Sequence, residues 1–136
     1  MYYPVKITPD GDNFMVSFPD IPEALTCGET VEDAKQEAVA ALITAFDFYF
    51  EDERPVPMPS HHLELDLVEV PLSVWAKVLT LNTMLETKTS QIELARRMGT
   101  RKQEIQRIVN LHHNTKIDTL NSAMMAMGKH LSISVG

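Results

Sequence analysis

Apolar and polar positions alternate from Tyr3 to Pro9 and again from Asn13 to Phe18, the period of strands that bury one face. Asp10-Gly11-Asp12 lies between them and predicts a hairpin turn. A third short extended piece, Ala24 to Cys27, follows Pro19 and Pro22 and stops at Gly28. The period then changes. Thr30 has the character of a helix N-cap, with Glu32 and Asp33 in the first turn where the helix dipole favours acidic groups. Val31, Ala34, Ala38, Leu42, Ala45 and Tyr49 recur at helical spacing, so one amphipathic helix is predicted to about Phe50, packed on the strands. Phe46, Phe48, Tyr49 and Phe50 surround the end of that helix instead of forming one stripe. They either close the core or lie in part in a protein interface, because rings on opposite faces cannot all enter one small core.

Residues 54–62, RPVPMPSHH, are punctuated by proline and break regular structure. Beyond them Leu63, Leu65 and Leu67 alternate with Glu64 and Asp66, and Val68 to Val70 continues extended until Pro71, which predicts a last strand for the N-terminal sheet. Leu72 to Glu86 returns to helical spacing, with Val74, Val78, Leu81 and Leu85 on one stripe. Ile117 to Met127 does the same through Ile117, Leu120, Met124 and Met127, and Gly128 ends it. The terminal HLSISVG alternates Leu131, Ile133 and Val135, as expected of a short edge strand able to pair with a second copy.

Between those helices, Thr89 to Leu111 carries the most specific pattern in the chain. Two helices crossing steeply over a short turn need a small residue where their backbones approach, which Ala95 supplies. The turn needs a residue that tolerates positive φ, which is Gly99. Leu94, Met98, Ile105 and Ile108 would seal the inner corner, and Ser90 or Thr89 would cap the first helix. An ordinary helical corner in an all-α domain would share some of these features, but the outward side of the second helix is rich in donors. The arrangement resembles the helix-turn-helix domain of the Cro/repressor type over roughly residues 72–136. In such a domain the second helix enters the major groove. Lys102, Gln103, Gln106 and Arg107 would read base edges, with glutamine suited to adenine and Arg107 or Lys102 to guanine. Gln91, Arg101, Asn110, His113 and Lys116 would contact phosphate.

Charge sharpens the division. The chain's net charge of −7 conceals two unlike halves. Residues 1–70 hold three basic and fifteen acidic side chains, net −12, whereas residues 71–136 hold nine basic and four acidic ones, net +5. One half should avoid nucleic acid and the other should seek it. With 136 residues, 44% of them hydrophobic, two small domains are expected, 1–70 and 71–136. No apolar run is long enough for a membrane span and no signal peptide opens the chain, so a cytoplasmic protein without membrane contact is expected. Cys27, the single cysteine, is expected to be a small buried or half-buried apolar residue.

Catalytic and metal chemistry find little support. Asp10, Asp12, Asp20, Glu23 and Glu51 are the carboxylates that would have to converge for a magnesium-dependent nuclease. Asp10 and Asp12 already have a backbone reason to flank a turn glycine. His61-His62 and His112-His113 are adjacent pairs, which diverge in a strand or helix, and no further ligand follows at metal spacing. No catalytic residue, metal or cofactor is expected.

The segment FPDIPEALTCGETVEDAKQEAVAAL, residues 18–42, resembles the signature of HicB antitoxins. FDFYFEDERPVP and VEVPLSVWAKVL are similar to the branch of that family that carries a helix-turn-helix. The resemblance implies an α+β chain: a partial RNase H-like sheet and helix that binds the toxin, followed by an all-α DNA-binding domain. It further implies a partner, a small basic mRNA-cleaving toxin of the HicA type with a double-stranded-RNA-binding fold, and repression of the antitoxin's own operon. On that resemblance the toxin-contact candidates are Asp20, Ile21, Glu23, Leu25 and Glu29, in or near the proline-rich loop. A homodimer or higher oligomer is expected, because two recognition helices one DNA turn apart would read a palindromic operator. The competing reading is a ligand-responsive helix-turn-helix transcription factor whose N-terminal domain holds a small molecule in an apolar pocket.

Overall fold

The computed structural model describes residues 1–136 and is mixed α+β, with a four-stranded antiparallel sheet and five helices. The chain divides into two compact units, one made of Met1–Tyr49 and Val56–Leu72, the other of Phe50–Pro55 and Ser73–Gly136.

In the first unit β1 (Tyr2–Asp10) and β2 (Asn13–Ser17) form the hairpin, and β3 (Leu25–Gly28) and β4 (Asp66–Glu69) complete a sheet of order β3-β2-β1-β4. Register decides which side chains go inside. Ile7 lies opposite Val16 and Tyr3 opposite Val68, and the buried faces of Tyr3, Val5, Val16 and Val68 follow from that pairing. Helix α1 (Val31–Glu51) buries Ala34, Ala38, Leu42, Ala45, Phe46 and Tyr49. The Tyr3 and Phe46 rings meet at a tilted 59° with centroids 5.8 Å apart, an arrangement that suits aromatic quadrupoles. Thr30 Oγ1 accepts from Asp33 N at 3.1 Å and caps α1 as the sequence predicts. Gly28 permits the sharp passage from β3 into α1, since a Cβ there would lie 2.4 Å from the Ala34 nitrogen.

The aromatic cluster at the end of α1 splits between the two expected roles: Phe46 and Tyr49 are buried while Phe48 faces solvent. Residues 54–62 contain no regular element but are anchored. Val56 is buried, Tyr3 Oη donates to the Pro57 carbonyl at 2.6 Å, and the Ser60 amide donates to Asp20 Oδ2 at 2.9 Å.

The second unit holds α2 (Leu72–Glu86), α3 (Gln91–Met98), α4 (Lys102–Ile108) and α5 (Ile117–Ala126). Its core gathers Ala76, Met84, Leu94, Ala95, Ile105, Ile108, Leu120, Ala123, Met124 and Met127. Each fully buried leucine or isoleucine in such a set contributes about 1.5–3 kcal/mol relative to exposure.

Two local expectations are corrected. The last strand is shorter than residues 63–70, and its leucines do not supply the core: Leu63 and Leu67 are exposed, and Val68 and Val70 are buried in their place. Pairing of Val68 with Tyr3 fixes the inward phase, and a period of two then turns Leu67 out. HLSISVG has no ladder partner within a single chain, and the pairing expected of it involves a second copy. Cys27 is exposed, sitting opposite Met15 on the outer side of the sheet.

Candidate functional site

The α3–α4 corner is built as its sequence dictates. Ser90 caps α3 by accepting from the Glu93 amide at 3.1 Å. Gly99 ends it at φ 66°, in the left-handed region, where the Thr100 amide closes on the Ala95 carbonyl at 2.9 Å. Leu94, Ala95, Ile105 and Ile108 are buried inside the corner. This leaves Lys102, Gln103, Gln106 and Arg107 exposed on α4, with Arg101 exposed at its N-cap. Gln91 is half-buried at the start of α3 and shares a cleft of about 420 Å³ with Lys102, Gln106, Leu81 and Val109. The first residue of one helix and two outward residues of the next are thus brought to a single surface. Asn110, His113 and Lys116 are exposed between α4 and α5.

Local pairing conditions several of these groups. Arg107 Nη1 lies 2.9 Å from Glu104 Oε1, one turn back on the same helix, so any DNA contact by Arg107 competes with that exposed pair. Asn110 Oδ1 accepts from the His112 amide at 2.9 Å, and His113 Nδ1 lies 3.0 Å from Thr115 Oγ1. Glu93 is bonded by Arg96 and Arg97, and those guanidinium hydrogen bonds, Arg96 first, hold its carboxyl down to about 2.

One participant escaped the sequence. Lys77, on α2, is 3% exposed, and its Nζ donates to the carbonyls of Arg107, Asn110 and His113 at 2.9, 2.6 and 2.7 Å. Burial lowers its ammonium to about 8. Its spacing, three residues after Val74 and four before Leu81, already sets Lys77 on the flank of the apolar stripe, but the carbonyls that receive it are seen only from the position of the segment after α4.

The five toxin-contact candidates have unlike environments. Ile21 is 0% exposed and belongs to the core, so it is withdrawn as a contact residue. Asp20 holds the Ser60 amide, and Glu23 Oε2 accepts from Tyr49 Oη at 2.7 Å, so both carboxylates carry internal duties. Leu25 is 66% exposed and Glu29 is exposed. Leu25 shares the outer side of the sheet with exposed Tyr2, Met15 and Leu67, a set that only the strand register brings together. In the second unit, Ile117 and Met125 are exposed on α5, and the Leu131 amide donates to Asn121 Oδ1 at 2.9 Å, tying the start of the extended tail to that helix. No group of three or more histidine, cysteine or carboxylate side chains gathers as metal ligands, and no helix is long and apolar enough to cross a membrane.

Comparison with known proteins adds a family to this geometry. The family described as the HicB-like antitoxin of bacterial toxin–antitoxin systems matches residues 2–79. Antitoxin HicB 2 of Photorhabdus laumondii subsp. laumondii is 61% identical over 133 residues, covering 98% of this chain and 95% of the relative. Antitoxin HicB of Escherichia coli K12 is 56% identical over 135 residues, covering 98% of each. Antitoxin HicB of Pseudomonas fluorescens is 33% identical over 135 residues, covering 98% of this chain and 92% of the relative. Full-length similarity at this level, together with the match to the N-terminal half, places the chain in the HicB-like antitoxin family of bacterial toxin–antitoxin systems.

Proposed function

We propose that this antitoxin neutralises a HicA-type mRNA-cleaving toxin through its acidic N-terminal unit and represses its own operon through its C-terminal unit. In this reading the sheet and α1 are a partial RNase H-like scaffold, and α2 to α5 form a helix-turn-helix domain of the Cro/repressor type. The observation that carries the DNA-binding half is the α3–α4 corner: Lys102, Gln103, Gln106 and Arg107 all face outward from a helix whose inner side is sealed by Ile105 and Ile108. Those side chains suit base edges, and Gln91, Arg101, Asn110, His113 and Lys116 suit the flanking phosphates. On the toxin side, fifteen acidic residues among the first 70 attract a basic nuclease, and Asp20, Glu23, Leu25 and Glu29 lie in or beside the segment proposed to meet it.

The protein acts as a homodimer or higher oligomer in this account. Exposed Ile117 and Met125 on α5 and exposed Ile133 and Val135 in the tail supply apolar surface for a second copy, and the backbone beyond Leu131 is available for strand pairing. Fluorescence anisotropy on the DNA upstream of its operon tests the regulatory half. Salt-sensitive, sequence-selective binding at two half-sites about 34–36 Å apart, or a multiple of that, is expected. Equal affinity for unrelated DNA would remove the repressor role.

A further inference from the structure

Burying an ammonium is costly unless each of its three protons finds an acceptor. Lys77 meets that condition with backbone alone, and all three carbonyls belong to one short stretch, Arg107 to His113. Arg107 lies in the last turn of α4, whose carbonyl end is the negative pole of the helix and favours a cation. Asn110 and His113 lie beyond it, where the chain has no regular element before α5. That stretch has two further backbone ties of its own, Asn110 N to Arg107 O at 3.2 Å and His113 N to Asn110 O at 3.1 Å. Lys77 therefore joins the same three residues from a different helix. With their carbonyls turned inward to Nζ, Asn110 and His113 present exposed side chains outward.

Core packing alone does not require a charge here, since a buried ion is commonly replaceable by an apolar side chain of similar volume. A loop that must meet DNA has a different requirement. Ordering it in advance removes an entropy cost from binding. We propose that Lys77 is a positioning residue for DNA binding: its buried ammonium fixes the segment after α4 so that Asn110 and His113 meet phosphate without further ordering. The inference rests on the DNA-binding reading above. The downward shift of Lys77 to about 8 agrees with an ammonium held away from water.

The test is operator binding by the full-length protein across a salt series, for the wild type, Lys77→Met, the pair Asn110→Ala with His113→Ala, and the triple variant. Melting curves and backbone amide spectra accompany each. Lys77→Met keeps an unbranched side chain, one atom shorter, and removes the charge. It should weaken binding about tenfold or more, the loss expected for one hydrogen bond to a charged phosphate. The salt slope should stay as in the wild type, because a buried Lys77 reaches no phosphate and its loss changes no counterion release. The triple variant should bind no more weakly than the pair, since Lys77 acts through those residues. Wild-type affinity in Lys77→Met overturns the proposal. A slope reduced by about 0.9 also overturns it, as Lys77 would then be touching phosphate itself. Additive losses do so as well. If Lys77→Met does not fold, Lys77→Arg is read instead: it keeps the charge but not the convergent geometry, and affinity equal to wild type in a folded Lys77→Arg would count against the idea. A wild-type protein that ignores the operator overturns the DNA-binding reading and not this one alone.

Discussion

Replacing Gly99 with alanine isolates one physical cost in the α3–α4 corner. Gly99 sits at φ 66° and ψ 35°, and a Cβ built there meets nothing within 4 Å. No atom has to move, so the penalty is the backbone's alone. An L-residue held in the left-handed region costs about 1–2 kcal/mol, reduced slightly because alanine also loses less freedom than glycine on folding. For a unit of this size each kcal/mol lowers the melting temperature by about 4–8 °C. The assay is thermal and urea unfolding of the full-length protein followed by circular dichroism. The two units are fitted as separate transitions if they separate. Gly99→Asn should recover part of the loss, because asparagine visits this region more readily. The turn bonds from Gly99 N to Arg96 O and from Thr100 N to Ala95 O survive the change, so operator affinity well below the transition should match wild type. An unchanged melting temperature would mean that residue 99 is not held at positive φ. A loss above about 4 kcal/mol would mean that the added methyl strikes neighbouring atoms, against the open space described.

Other outcomes follow from the same geometry. Because Glu93's folded pKa is depressed from 4.5 to about 2, its contribution to stability is present above 4.5 and is lost as pH falls towards 2. Acid-unfolding curves of wild type and Glu93→Gln should therefore differ above that window and converge below it; a constant offset would contradict the pairing with Arg96 and Arg97. Arg107→Ala should cost roughly 1–3 kcal/mol on the preferred operator if it reads a base, while uniform weakening on all sequences would assign it to phosphate. Ile105→Ala should destabilise by about 2–5 kcal/mol, since Ile105 is fully buried in the corner; a loss below about 1 kcal/mol in urea titration would deny it that place. Removing residues 130–136 should shift the protein towards monomer in analytical ultracentrifugation, and an unchanged mass would place the interface elsewhere.

Much of the fold is written in local pattern. The Asp10-Gly11-Asp12 turn, the Thr30 cap, the α1 stripe and the Ala95–Gly99–Ile105 spacing each carry a steric reason that holds without knowledge of the rest of the chain. What escaped depends on partners distant in sequence. Leu63, Leu65 and Leu67 have the right alternation, but only pairing with β1 reveals that Val68 and Val70 are the inward residues. Ile21 and Leu25 are both apolar and only four residues apart, yet one is buried and the other exposed. The spacing of Lys77 from Val74 and Leu81 marks it as an inward candidate, but its acceptors lie about thirty residues further along the chain and are not legible locally. The outward residues of α4 were legible because a helix with Ile105 and Ile108 inside leaves few choices for its remaining face.

Silencing of a toxin by direct binding is the role proposed for this chain. The decisive experiment is co-expression of the full-length chain with the product of the neighbouring reading frame, expected to be a small basic toxin, with growth and co-purification measured together. The neighbour alone should arrest growth, the full chain should restore it, and the two proteins should purify as one complex through high-salt washing. Continued arrest with no complex recovered, from cells in which both proteins are made and folded, would contradict it.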